Sequence, residues 1–190
     1  MIFTKIRQKL QYVTASGKTR FVIAFPELGL VVKFPIVRLK YVCVKTKKDI
    51  KTHGFKVALS MWTMRSTNLF GHRYKIIEGV RANWRERKFW HKTQHRFLCP
   101  TLFSLFGLLN IQKYMKPLSI KNTDVGRPIA RVTKGSSFGC GHEFESPPNF
   151  SCQDGHLVML DYGSIEIQPV IIKFGEKLLC LTERDCVYRE

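Results

Sequence analysis

Pro148-Asn149-Phe150-Ser151-Cys152-Gln153-Asp154-Gly155-His156-Leu157-Val158-Met159-Leu160-Asp161-Tyr162-Gly163 reads as a tight β-hairpin with a polar residue at each end. Residues 150–152 make one short strand and residues 156–160 the other. Asp154-Gly155 between them is a short turn signal, because both residue types tolerate φ > 0. A two-stranded hairpin brings its outer ends together, so Asn149 and Asp161 are expected side by side. An amide oxygen beside a carboxylate suits a hard cation such as Mg²⁺, and Mg²⁺ commonly brings phosphates with it. Tyr162-Gly163 is expected to let the chain turn away sharply.

Working outward, three strand-like runs open the chain. Residues 10–14, 19–25 and 30–34 are rich in β-branched and aromatic side chains, and short turns at residues 15–18 and 26–29 separate them. An antiparallel meander follows, with Lys33 in its third strand among apolar neighbours. Ser16-Gly17-Lys18-Thr19 has the ending of a phosphate-binding P-loop, but the upstream Gly is missing and no helix follows, so no such loop is expected. Residues 36–78 read as an irregular basic insertion with one or two short helices or strands, carrying Lys45, Lys47, Lys48 and Lys51. Met61, Trp62 and Met64 in it are expected to pack on the core. Residues 80–96 read as a helix free of Gly and Pro, in which Ala82, Glu86, Phe89 and Trp90 share a face. After Pro100, residues 101–106 and 108–115 read as two further strands. Residues 119–147 lack a strong period, and residues 170–174 and 178–181 read as a final hairpin around Gly175-Glu176-Lys177.

The order of Lys33, Glu86, the strand pair, Asn149 and Asp161-Tyr162-Gly163 resembles the protein-kinase-like fold. That family carries an Asn before a hairpin and an Asp-Phe-Gly or Asp-Tyr-Gly after it. The Asp-Tyr-Gly form is more similar to the small-molecule and bacterial or phage kinase-like branches than to eukaryotic protein kinases. The resemblance implies an α+β fold: a kinase-like N-lobe (antiparallel sheet plus one main helix) over residues 1–118, and a strongly reduced C-lobe over residues 119–190. It implies a nucleotide partner, ATP with Mg²⁺. Lys33 would hold phosphates and Glu86 would orient Lys33. Gln112 and Tyr114 would line an adenine site in the segment joining the two parts, while Asn149 and Asp161 would hold metal. It also implies an ATP-dependent phosphotransferase, but the catalytic Asp position, five residues before Asn149, is Phe144. Glu143 and Glu145 flank it and are the candidate bases. The implication therefore divides between a slow atypical kinase acting on a protein or small molecule and an inactive pseudokinase.

Composition adds a second reading. The net charge is +18 over 190 residues, with 44% hydrophobic and 24% charged residues, which fits a folded protein. Residues 1–124 hold 25 of the 32 Lys and Arg against 5 acids, and residues 125–190 hold 7 against 9. Such a field favours phosphates, nucleic acid or an acidic assembly partner. Arg85, Arg87, Lys88, Lys92 and Arg96 interleave with Trp84, Phe89 and Trp90, as phosphate- and base-stacking surfaces do. The alternative function is thus a non-catalytic basic binding protein on a degenerate kinase-like scaffold. No apolar run is long enough to cross a bilayer and no signal-peptide core opens the chain, so a cytoplasmic protein is expected, in the host cytoplasm if phage-encoded. The six Cys form no CxxC pair and are expected as thiols. Cys140, His142, Cys152 and His156 match no standard finger spacing, and zinc is not expected.

Overall fold

The computed structural model describes residues 11–17, 19–63, 76–118 and 124–186, with the backbone alone described at 61–63 and 141–142. The expectations for Lys18 in the first turn, for Met64 and for residues 119–123 lie outside these residues. So do those for the side chains of Met61, Trp62 and His142.

The fold is mixed α+β. Strands β1 (Val13–Ser16), β2 (Arg20–Phe25), β3 (Leu30–Pro35), β4 (Thr101–Leu105) and β5 (Leu109–Lys113) form one antiparallel sheet in the order β1-β2-β3-β5-β4. Pairing puts Val22 opposite Lys33, Lys33 opposite Asn110, and Asn110 opposite Ser104. Side chains alternate across a strand, so Arg20, Val22, Val31, Lys33, Asn110, Gln112, Ser104 and Thr101 share one face. Phe21, Ile23, Val32, Phe34 and Ile111 share the other. The polar face is the one that is covered. Helix α3 (Glu78–Thr93) lies against β3, β4 and β5 and buries Gly79, Asn83, Glu86 and Phe89, which recur at helical spacing.

Between the sheet's third strand and α3 the chain forms two regular helices, α1 (Leu39–His53) and α2 (Phe55–Thr63), separated by Gly54. The one or two helices or strands expected in this insertion are two helices among the described residues, more regular than the sequence suggests. Residues 39–53 contain no Gly or Pro, and a helix closes on itself up to the Gly54 amide, which donates to Ile50 O at 2.9 Å.

The second part of the chain is built around the hairpin. Strands β6 (Phe150–Gln153) and β7 (His156–Met159) pair around Asp154 and Gly155, whose φ values of 51° and 81° fit the two left-handed positions of a tight hairpin turn. Backbone bridges join Leu98 to Met159 and Pro117 to Ser151. Helices α4 (Gly126–Val132), α5 (Ile167–Leu179) and α6 (Glu183–Cys186) complete it. The final hairpin expected at residues 170–181 is corrected: α5 occupies that segment. Ile167, Val170, Ile171, Phe174 and Leu178 are buried at spacings of three and four, a helical stripe. Gly175 is not a turn residue. A Cβ there would meet the His95 ring nitrogen Nε2 at 2.4 Å, so glycine lets the helix pass close to that ring.

The apolar core lies here rather than under the large sheet. Phe97, Leu98, Ile129, Phe144, Phe150, Leu157, Met159, Tyr162, Ile167, Ile171 and Leu178 are buried in one cluster. No helix among the described residues is long and apolar enough to cross a membrane.

Candidate functional site

Lys33 and Glu86 meet. β3 carries the lysine on its covered face and α3 presents the glutamate across it, so Lys33 Nζ donates to Glu86 Oε1 at 3.0 Å. Lys33 Nζ also donates to Leu160 O at 2.8 Å, which ties the sheet to the end of the hairpin. Glu86 is fully buried and accepts further donors: Tyr162 N at 3.3 Å, Asn110 Nδ2 at 3.2 Å and Arg20 Nη1 at 3.1 Å. A buried carboxylate is costly without partners, and here both oxygens are occupied by cations or N–H groups.

Arg20 was not singled out by the sequence reading. It opens β2, and its guanidinium also donates to Asp161 Oδ1. The Arg20 and Lys33 side chains are each 7% exposed, and Asp161 is 35% exposed. Burial works against the charge of Arg20, but Asp161 and then Glu86 hold its pKa above the ordinary value. Burial alone would raise the Asp161 carboxyl. Arg20 and then Lys33 reverse that and hold it below the ordinary carboxylate value. A signal for Arg20 was present in the alternation of residues 20–25, which sets it on the same face as Lys33 once the meander is formed.

The hairpin brings its two ends together, with Leu160 N donating to Asn149 O at 2.6 Å. The two side chains then turn to different partners. Asn149 Nδ2 donates to Glu143 O at 3.0 Å and to Glu143 Oε2 at 3.1 Å, while Asp161 faces Arg20. The Glu143 carboxyl is pushed up to about 7, by burial first and by the Asp161 charge second. Phe144 is buried in the apolar core, and Glu145 is exposed. The Phe144 side chain therefore points into the core, and Glu143 lies on the Asn149 side.

Gln112 is buried in β5. It donates to Thr101 Oγ1 at 3.1 Å and to Tyr162 Oη at 3.4 Å, and Tyr162 Oη donates to Cys99 O at 2.6 Å. Burial drives the Tyr162 phenol well above its ordinary value. Gln112 and Tyr162 thus form a polar seam between sheet and hairpin. Tyr114 follows β5, and its backbone N–H donates to Gly29 O at 2.7 Å. Gly163 serves close approach rather than a left-handed turn: a Cβ there would meet Ala82 O of α3 at 2.8 Å.

The Mg²⁺ expected at Asn149 and Asp161 does not fit this arrangement. Mg²⁺ needs near-octahedral oxygen ligation, and the Asp161 carboxylate is already paired with a guanidinium. Arg20 and Lys33 balance Glu86 and Asp161, two charges against two. Of the thiols and imidazoles, Cys140 Sγ donates to Glu166 O at 3.3 Å and His156 Nδ1 lies 3.0 Å from Leu179 O.

On the basic helix, Phe89 is buried and Trp90 packs against the core, which removes two of the three aromatics from the expected stacking surface. Trp84 remains 48% exposed. It lines a groove with Arg87, Lys88, His91, Phe103 and Phe106, the last 73% exposed. Arg87 Nη1 donates to Ser104 O at 2.5 Å and fixes one wall.

No protein-family model matches the chain, and no curated protein matches it. Among solved structures, one described as "PpkA-294 apo form" overlays with a TM-score of 0.40 at 14% identity, over 90% of this chain and 63% of that one. The chain thus spans less than two thirds of that structure's length.

Proposed function

We propose that the chain is a minimal kinase-like protein that binds a nucleotide, ATP by preference, and has lost efficient phosphotransfer. In this reading residues 1–118 and 119–190 are its two parts. The observation that carries it is the Lys33–Glu86 pair fastened to Leu160 O, one residue before Asp161. A lysine held by a buried glutamate, beside a carboxylate at a hairpin end, is an arrangement suited to phosphate groups. Phe144 in the core argues against an ordinary general base, since a base must reach the accepting hydroxyl. Glu143 is the nearest substitute, and at neutral pH a carboxyl with a pKa of about 7 is only part ionised.

The test is thermal unfolding of the full chain with ATP, AMP and adenosine. A ligand at 100 times its dissociation constant stabilises by roughly 2.7 kcal/mol. ATP is expected to raise the midpoint, AMP less, and adenosine least. Equal midpoints with all three would contradict the reading.

One observation supports a second reading. The groove of Trp84, Phe103 and Phe106, edged by Arg87, Lys88 and His91, combines exposed aromatics with positive charge. It suits an acidic or nucleic-acid partner bound without chemistry. Binding to single-stranded nucleic acid that weakens steeply with salt and is lost in Trp84→Ala would favour it.

A further inference from the structure

We propose that Arg20 is the resident cation of this site: it takes the place at Asp161 where a divalent ion would sit, and with Lys33 it receives nucleotide phosphates without Mg²⁺. The proposal rests on the nucleotide reading above.

Arg20 is built into its position. It pairs with Pro35 in the β2–β3 ladder. The turn before it is closed by Gly17 N donating to Arg20 O at 2.8 Å, and Ile36 N donates to Thr19 O at 2.8 Å. The backbone on both sides is therefore fixed before the side chain enters the interior. The guanidinium then spans two carboxylates from different parts of the chain, Glu86 on α3 and Asp161 after β7. A planar guanidinium has five N–H donors in a rigid fork and stays charged at any ordinary pH. Two of those donors are spent on Glu86 and Asp161, and the fork carries others that can meet phosphate oxygens bidentately.

Charge balance supports the same conclusion. With Arg20 and Lys33 the four-group network is neutral. A divalent ion at the Asp161 carboxylate would set a second cation beside the buried Arg20 guanidinium, and the two would repel. Neither neighbour makes up the deficit. The Asn149 amide is uncharged, and the Glu143 carboxyl is already engaged by its NH₂ group at 3.1 Å.

Two measurements on the full chain test this. The first is calorimetric titration of ATP in EDTA and in MgCl₂. The wild type is expected to bind with affinities that agree within about twofold, and Arg20→Ala to bind at least about tenfold more weakly in EDTA. Binding by the wild type only with Mg²⁺ would overturn the proposal and leave the nucleotide reading standing. The second is titration with Mn²⁺ alone, read by electron paramagnetic resonance. The wild type is expected to show no Mn²⁺ site that depends on Asp161. Arg20→Ala is expected to gain one, and Asp161→Asn in that background to remove it. Mn²⁺ binding by the wild type that Asp161→Asn abolishes would overturn the proposal, even if Arg20→Ala does not fold. If ATP binds in neither buffer, the nucleotide reading falls and phosphate reception by Arg20 with it.

Discussion

The two halves of the interior are made of different material. Under the hairpin, Phe97, Phe144, Phe150, Ile171 and Leu178 fill a continuous apolar core. Under the five-stranded sheet the buried polar residues are Arg20, Lys33, Asn83, Glu86, Thr101, Ser104, Asn110 and Gln112. The first layer is held by a non-directional force proportional to area. The second is held by directed bonds, and its strength depends on every partner being present. Its accounts are not fully closed: Asn83 Oδ1, Ser104 Oγ and Asn110 Oδ1 are buried without a hydrogen-bond partner among the described residues. A layer built for stability alone gains more from aliphatic side chains. Polar groups concentrated at one place, at that cost, support the proposal of a site for a charged ligand.

Breaking each layer at its centre gives the largest effects. Glu86→Ala leaves Arg20 and Lys33 without their shared anion, and a broken buried pair costs about 3–5 kcal/mol. Urea unfolding should show that loss, and a change under about 1 kcal/mol would mean the polar layer carries little load. Ile171→Ala in the apolar layer opens a cavity and should cost about 2–4 kcal/mol, again by urea unfolding. Its loss should be unaltered by ATP, whereas Glu86→Ala should also abolish ATP binding.

The junction between the layers comes next. Gly163→Ala sets a methyl 2.8 Å from Ala82 O, a backbone atom that cannot swing aside. The expected cost is about 1–3 kcal/mol, measured as a fall in melting temperature.

The smallest expected effect depends on pH. Glu143 has a folded pKa of about 7 against an ordinary 4.5, so between these values the folded state holds a proton that the unfolded chain has lost. Stability from this group therefore falls as pH rises from about 4.5 to 7 and stays low above it. Glu143→Gln should remove that slope and gain on the order of 1–2 kcal/mol relative to wild type at pH 8. Asp161 acts in the opposite sense. Its folded pKa lies below 3.8, so its contribution is present above 3.8 and is lost as pH falls through the folded value. A Glu143→Gln variant with the wild-type profile between pH 5 and 8 would contradict the assignment.

Much of this was legible in the chain. The Asp154-Gly155 turn, the meander and the α3 helix each follow from local rules, and Lys33 and Glu86 meet because strand and helix periods both turn them inward. The final segment is not legible in the same way, because Val170, Ile171, Ile172 and Leu178, Leu179 are apolar runs with a Gly between them, which period alone does not separate into strand or helix. The reason for that Gly, the ring of His95, lies 80 residues away in sequence. Arg20 was missed for a related reason. A cation at the first position of an apolar strand looks solvated until β2–β3 pairing, α3 and the end of β7 bring two carboxylates to it.

The central claim is that Arg20, Lys33, Glu86 and Asp161 act as one unit. A double-mutant cycle tests it most directly: urea unfolding of the wild type, Arg20→Ala, Asp161→Asn and the double variant. The account predicts that the double variant loses less than the two single losses added, by about 1–3 kcal/mol. Losses that add to within about 0.5 kcal/mol would mean that Arg20 and Asp161 do not act together, and the account would fail there.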